Sequence, residues 1–232
     1  EIVCANATRS ATFAALELQD LIYGISGATL PIVTTPGGAQ VKIYVGESSY
    51  TNSLGIYDTG LENGAYRMVS GANYLVLLGK DDNFIPVEPY AHSATGRPSA
   101  LAAYDALHPG KYWGHPFRSV YDGYGDSLDI WSKDGRGSLN AVYAFVRNLG
   151  ARWYFPGPIG QVLPDISSIG LPRVNHTVKP GFELRKFAQE RNSFQAATTD
   201  EIKWQLRLGI NNISTGTGTV WGHSIHYLLQ RA

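Results

Sequence analysis

Tyr74-Leu75-Val76-Leu77-Leu78 carries no polar group except the phenol at its first position. Side chains of a strand alternate between the two faces of a sheet, so a strand that is apolar on both faces must be covered on both. This stretch therefore reads as a central strand between two layers. Ala65-Tyr66-Arg67-Met68-Val69 precedes it, and Ser70-Gly71-Ala72-Asn73 joins the two as a hairpin with a loop of about four residues. Val41 to Gly46 alternates and is β-branched, and Ile2-Val3-Cys4-Ala5 reads as a further strand. Two helices supply a covering layer. In Ser10 to Ser26, Ala11, Ala14, Leu18, Leu21, Ile22 and Ile25 form one stripe, with Thr8 and Ser10 as N-cap candidates and Gly24 and Gly27 as stop signals. In the second helix, Leu139, Val142, Tyr143, Val146 and Leu149 form the stripe, Ser138 is the expected N-cap and Gly150 the stop. The pattern predicts an α/β (α+β) sheet of four or five strands with helices 10–26 and 138–149 packed on it, each burying one face. Leu18, Ile22, Val76, Val142 and Val146 are the expected core.

Composition removes several classes of function. The 232 residues carry a formal net charge of zero, without the basic surplus of a nucleic-acid binder. Aromatic residues make up 12%, too many for a disordered chain or a coiled coil. A single cysteine excludes an internal disulfide and a cysteine-based zinc site. No apolar run approaches the roughly 18–20 residues of a membrane span. No signal peptide is visible, and the chain opens inside a strand, as it would if preceding residues had been removed.

Other stretches punctuate this pattern. Residues 81–134 have little periodicity and read as an insertion, with one short helix expected over Pro98–Leu107. Residues 156–180 hold five prolines and read as an ordered linker. Phe182 to Phe187 reads as a new strand. Thr198-Thr199-Asp200-Glu201 is a capping box opening a helix with Ile202, Leu206, Trp204 and Leu208 inward and Gly209 as its stop. Ile210 to Ser214 reads as a strand. Three units follow: 1–165, the linker 166–180, and an incomplete β-α-β unit over 181–232.

Three stretches together resemble one known arrangement. They are Ala11 to Gln19 with Ile25 to Pro31, then Ile43-Tyr44-Val45-Gly46, then Gly137 to Tyr143 running through Leu149-Gly150-Ala151-Arg152-Trp153-Tyr154-Phe155-Pro156-Gly157. The chain resembles the N-terminal accessory domain of bacterial alpha-glucuronidases and beta-N-acetylhexosaminidases (glycoside hydrolase families 67 and 20) and of related glycosidase-like proteins. The resemblance covers residues 1–165 apart from the insertion. It implies a sheet with two helices and no catalytic residues, preceding a (β/α)8 barrel. It implies a glycan substrate, no cofactor, and a secreted, periplasmic or outer-surface bacterial location. On this reading 181–232 begins the barrel. A barrel takes about 250 residues, so it cannot close within this chain, and the paired carboxylates of a glycosidase are expected beyond Ala232. The competing reading is a non-catalytic carbohydrate-binding or scaffolding protein that uses the aromatic-rich insertion.

The resemblance nominates substrate-binding residues. Arg185, late in the first expected barrel strand, suits vicinal hydroxyls or a carboxylate through bidentate donation. A surface or ion-paired arginine accounts for it equally well. Glu190 and Arg191 in the next loop are weaker candidates. His223 lies in Gly222-His223-Ser224-Ile225-His226, near the top face of such a barrel. Against the nucleophile-elbow pattern, His226 replaces the last glycine, and too little chain follows for the other triad members. A histidine that caps or packs a loop is the plainer reading. Trp221, with Trp113, Trp131, Tyr104, Tyr112, Tyr121 and Tyr124, offers faces for sugar stacking or simply fills loops and core, whereas Trp153 reads as core. Asp122, Asp126, Asp129 and Asp134 lack the EF-hand alternation and read as solvated turns more readily than as a calcium site. His223 and His226 lack a zinc-helix context, and Gly216-x-Gly218-x-x-x-Gly222 misses dinucleotide spacing. The sequons at Asn6, Asn175 and Asn212 matter only in a glycosylating host.

Overall fold

A computed structural model of the chain describes residues 1–6, 8–83, 102, 106, 128, 130, 134–183, 185 and 198–211. The elements run β1 (Ile2–Val3), α1 (Arg9–Ser26), β2 (Ile32–Val33), β3 (Lys42–Val45), α2 (Ser49–Ser53), β4 (Tyr66–Ser70), β5 (Tyr74–Gly79), α3 (Gly137–Asn148), β6 (Arg152–Trp153), β7 (Gln161–Val162), β8 (Asn175–Val178) and α4 (Thr199–Arg207). Six strands form one mixed sheet in the order β2-β1-β3-β5-β4-β8, and β6 pairs with β7 as a separate hairpin. β2, β1, β3 and β5 run parallel, while β4 is antiparallel to both neighbours.

β5 is the covered strand that its composition requires. Leu75 and Leu77 enter the core shared with α1 and α3, and Val76 and Leu78 enter the core of the opposite face. The second face is closed by Ile56, Leu61 and Ala65, with Tyr50 of α2 stacked on Tyr44. α1 begins where the Thr8 hydroxyl accepts the Ala11 N–H and ends at Gly27, whose φ of 71° suits glycine. α3 ends likewise before Gly150 at φ 111°.

The structure differs from the sequence reading at several points. The sheet has six strands because short elements add to both edges. β2 is two residues long, and β8 (Asn-His-Thr-Val) is exposed along its whole length, so neither carries a burial pattern. β8 lies within the expected 166–180 linker and pairs with β4. Ser138 is not the N-cap of α3. Arg136 holds that position without a side-chain capping bond, and the Ser138 hydroxyl, inside the first turn, contacts the end of β5. α3 is buried around most of its circumference, because the sheet, α1 and α4 all border it. Leu208 is the exposed C-cap of α4, and Trp204 is partly buried. Phe182, Glu183 and Arg185 are not in a strand, nor is Ile210. The remainder of the 182–187 and 210–214 strands lies outside the described residues, as does the 98–107 helix except Ala102 and Ala106.

α4 docks on this layer through its capped, amphipathic face. Thr198 and Glu201 form the reciprocal capping box, and Ile202 and Leu206 enter the same core as α1 and α3. A charged clasp holds the helix. Glu17 of α1, only 2% exposed, accepts from Arg207 Nε at 3.1 Å and Nη2 at 2.9 Å, and from the Tyr143 hydroxyl at 3.1 Å. Lys203 Nζ lies 3.1 Å from its other oxygen. Burial, and then the charge of Glu17, push the Tyr143 phenol well up, so it remains a donor. Arg207 also donates to Gln161 Oε1 at 2.8 Å and lies over the Trp153 ring. The Trp204 indole donates to the Trp153 carbonyl.

Leu18→Ala, at a fully buried position, should cost about 2–5 kcal/mol through lost burial and a residual cavity. Urea unfolding measures it, and a loss below about 0.5 kcal/mol, the surface range, would contradict the packing. Glu17→Ala leaves the cations of Arg207 and Lys203 without their shared carboxylate. It should cost roughly 3–5 kcal/mol, the scale for breaking a buried ion pair, and should make the 198–211 segment a preferred site of limited proteolysis.

Candidate functional site

At the carboxyl ends of β1, β3 and β5, the loop after β5 brings the buried Asp81 against the approach to α3, which carries the buried Asp134, Arg136 and Ser138. In open α/β sheets this edge is where ligands bind, at the point where strand order reverses. Here β1 connects to β2 on one side and the chain then returns to β3 on the other.

Glycine lets backbone meet backbone at this edge. A Cβ on Gly137 would lie 2.5 Å from the Lys80 nitrogen, and one on Gly135 would lie 2.7 Å from that of Asp82. Gly137 N–H donates to the Lys80 carbonyl and Gly135 N–H to that of Asp82, so the chain after β5 runs beside the chain entering α3. Asp81 sits in this seam. Its Oδ1 accepts the Ser138 N–H at 3.0 Å, satisfying one of the open donors of the first turn of α3. Its Oδ2 is buried without a hydrogen-bond partner. Burial is the main cause that lifts its carboxyl to about 7; the Ser138 bonds oppose the lift, and Asp58 and Asp82 add to it.

Other groups border the seam. The Cys4 thiol donates to the Asn6 and Ala11 carbonyls at 3.5 Å, and burial, then Asp81, push it up to about 11. A thiol so far from ionised is a packing group, not a nucleophile. Asp58 is lifted to about 6, first by burial and then by the neighbouring Glu47. Arg9 pairs with Asp134 at 2.6 Å, tying the start of α1 to the approach to α3.

Of the nominated substrate contacts, the structure places Arg185 here. Its Nε donates to the Gly209 carbonyl at 2.8 Å, Nη1 to Phe182 at 2.8 Å and Nη2 to Asn63 at 3.2 Å. Burial, then the Arg136 charge, lower its pKa. Asn63 and Gly64 both have positive φ, at 56° and 79°, and the Ala65 N–H closes on the Glu62 carbonyl, a type I′ turn. Asn140 of α3 holds the same turn through the Gly64 carbonyl at 2.8 Å. Asn211 accepts the Arg185 N–H on its Oδ1, and its carbonyl accepts from Arg136 Nη2 at 2.9 Å. Arg185 is thus a clamp joining the 61–65 turn, 181–183 and 209–211. His223, Trp221, Glu190 and Arg191 lie outside the described residues, as do Trp113, Trp131, Tyr104, Tyr112, Tyr121, Tyr124, Asp122, Asp126 and Asp129. Trp153 is core, as its position after α3 implied.

Sequence reasoning missed Asp81 and Glu17, and both had a signal. Lys80-Asp81-Asp82 follows directly on the most apolar strand of the chain. Glu17 is spaced four residues from Phe13 and from Leu21, an inward slot on α1 where a charge demands a partner. At the opposite, amino edge of the sheet a cavity of about 340 Å³ is lined by Ile22, Ile43, Leu75, Phe145, Ile169 and Leu171, with Ser26 among its polar groups. Arg185, the nominated residue that is described, is not part of its lining.

No group of three or more histidine, cysteine, aspartate or glutamate side chains among the described residues is arranged to hold a metal ion. No helix among them is long and apolar enough to cross a membrane. No family model and no curated protein sequence matches the chain.

The raised carboxyl of Asp81 makes stability depend on pH. Its value is about 7 in the folded chain against 3.8 ordinarily. Between these values the folded chain holds a proton that the unfolded chain releases, so stability falls as pH rises from about 4 through 7. The full shift corresponds to roughly 4 kcal/mol. Asp81→Asn keeps an acceptor for the Ser138 N–H without the charge. It should raise the melting temperature at pH 8 and flatten the profile; a variant with the wild-type slope would show that Asp81 is not the titrating group.

Proposed function

We propose that this chain is the N-terminal, non-catalytic portion of a secreted or surface carbohydrate-active enzyme, a glycoside hydrolase whose acid and nucleophile or base lie in the protein beyond residue 232. The observation that carries the reading is where the resemblance residues fall. Ala11, Ala14, Ala15 and Leu18 are buried in α1, Val45 in β3, and Leu139, Val142 and Tyr143 in α3. They are packing residues of two helices laid side by side on one face of a sheet. That is what an accessory domain must keep, since it contributes shape and no chemistry.

In this reading glycan reaches the chain only at its carboxyl edge, where Arg185 supplies a guanidinium beside the segment that leads onward. The test uses the full-length product of the native gene. Its intact mass should exceed 25.3 kDa, and it should hydrolyse a uronic-acid or N-acetylhexosamine glycoside. Arg185→Ala should lower kcat/KM by roughly 5- to 150-fold, the 1–3 kcal/mol of a charge-assisted hydrogen bond. A folded Arg185→Ala enzyme with wild-type kinetics on every substrate would leave the residue a clamp only. A native product of 25.3 kDa without hydrolytic activity would end the proposal.

A further inference from the structure

The β6–β7 hairpin places large apolar side chains in water on a rigid turn. Tyr154 is 61% exposed, Phe155 66% and Ile159 92%, with Val162 at 51%. Isolated exposed apolar residues are ordinary, but several on one short hairpin mark an interaction surface. The turn itself is fixed. Tyr154 N–H donates to the Gly160 carbonyl at 2.8 Å and Gly160 N–H to that of Gly157 at 3.2 Å. A Cβ on Gly160 would collide with the Phe155 backbone, and Gly157 has a φ of 77°. The aromatic residues are therefore presented with their backbone entropy already lost, the condition under which exposed aromatics contribute most to association.

We infer that this ridge is the docking surface for the domain that continues this same chain beyond the described residues, an inference that rests on the accessory-domain reading above. The occupant follows from continuity with the interface that α4 makes. α4 lies along the inner side of the hairpin: Trp204 bonds the Trp153 carbonyl, Arg207 bonds Gln161 and covers Trp153, and Asp200 Oδ2 lies 3.1 Å from where a Cβ on Gly157 would stand. The chain thus leaves a helix packed against this hairpin and, four residues past its end, is held at Asn211 by Arg136 and Arg185. A domain tethered there meets the ridge at the high effective concentration of an intramolecular partner, whereas a second copy or a separate protein must overcome the full entropy of association.

Hydroxyl-radical footprinting of the full-length native gene product tests this without a variant. Tyr23 and Tyr57, 56% and 45% exposed on other parts of the surface, serve as internal references. Tyr154 and Phe155 are expected to be modified at least tenfold more slowly than Tyr23, independently of protein concentration. Modification at the rate of Tyr23, in a product larger than 25.3 kDa, overturns the docking surface and leaves the accessory-domain reading standing. Protection that appears only as concentration rises assigns the ridge to a second copy and overturns it too. A native product of 25.3 kDa removes the accessory-domain reading and this inference with it.

Discussion

The close approach of Gly79 and Gly137 is the constraint on which the rest of the structure depends. The central strand ends on one glycine and α3 begins on the other, and a side chain at either place would enter the backbone of its neighbour. The contact brings the first turn of α3, with its open N–H groups, against the carboxyl end of β5. Ser138 turns its hydroxyl onto Gly79 and its N–H onto Asp81. The stripe of α3 then falls on Leu75 and Leu77, and α1 packs beside it. A helix started one residue earlier or later would rotate that stripe by about 100° and lose the match. Burying a carboxylate costs free energy, and at this point the cost sets the position of a helix.

The second constraint is the charge of Glu17. A lone buried carboxylate would be unstable, and the fold supplies Tyr143 from α3 and Arg207 and Lys203 from α4. Tyr143 and Arg207 come from 126 and 190 residues along the chain, so the clasp forms only when three helices have assembled. Replacing such a network by well-packed apolar side chains is often neutral or stabilising. Its value here is therefore geometric: it defines where α4 sits.

Much of the fold was legible because burial wrote it into the sequence. β5 announced itself by having no polar face, α1 and α3 by their stripes, and α4 by Thr198 and Glu201 with Ile202 and Leu206. What escaped was whatever owes its form to pairing or to polar contact. β8 is exposed and joins the sheet through backbone bonds to β4, which leave no hydrophobic period. α2 is a single capped turn, held by Ser48 and Thr51, too short for periodicity. Ser138 had the chemistry of an N-cap, but it lies inside the first turn and its hydroxyl bonds to Gly79. The candidate site was less legible still. Arg185 was nominated by resemblance, yet its three carbonyl partners belong to loops that only the tertiary structure joins. Asp81 could be located only once Gly137 had been laid against the end of β5.

The two surfaces of interest are coupled through one short segment. Residues 198–211 touch the hairpin at Trp153 and Gln161, the helical layer at Glu17, and the carboxyl edge through Asn211, which binds both Arg136 and Arg185. Arg136 stands at the N-cap of α3, two residues from Ser138 and so from the bond to Asp81. Polar bonds of defined direction therefore run from α4 and the 209–211 segment to the start of α3, and they fix the position of α4 in a way that apolar contacts, which slide, do not.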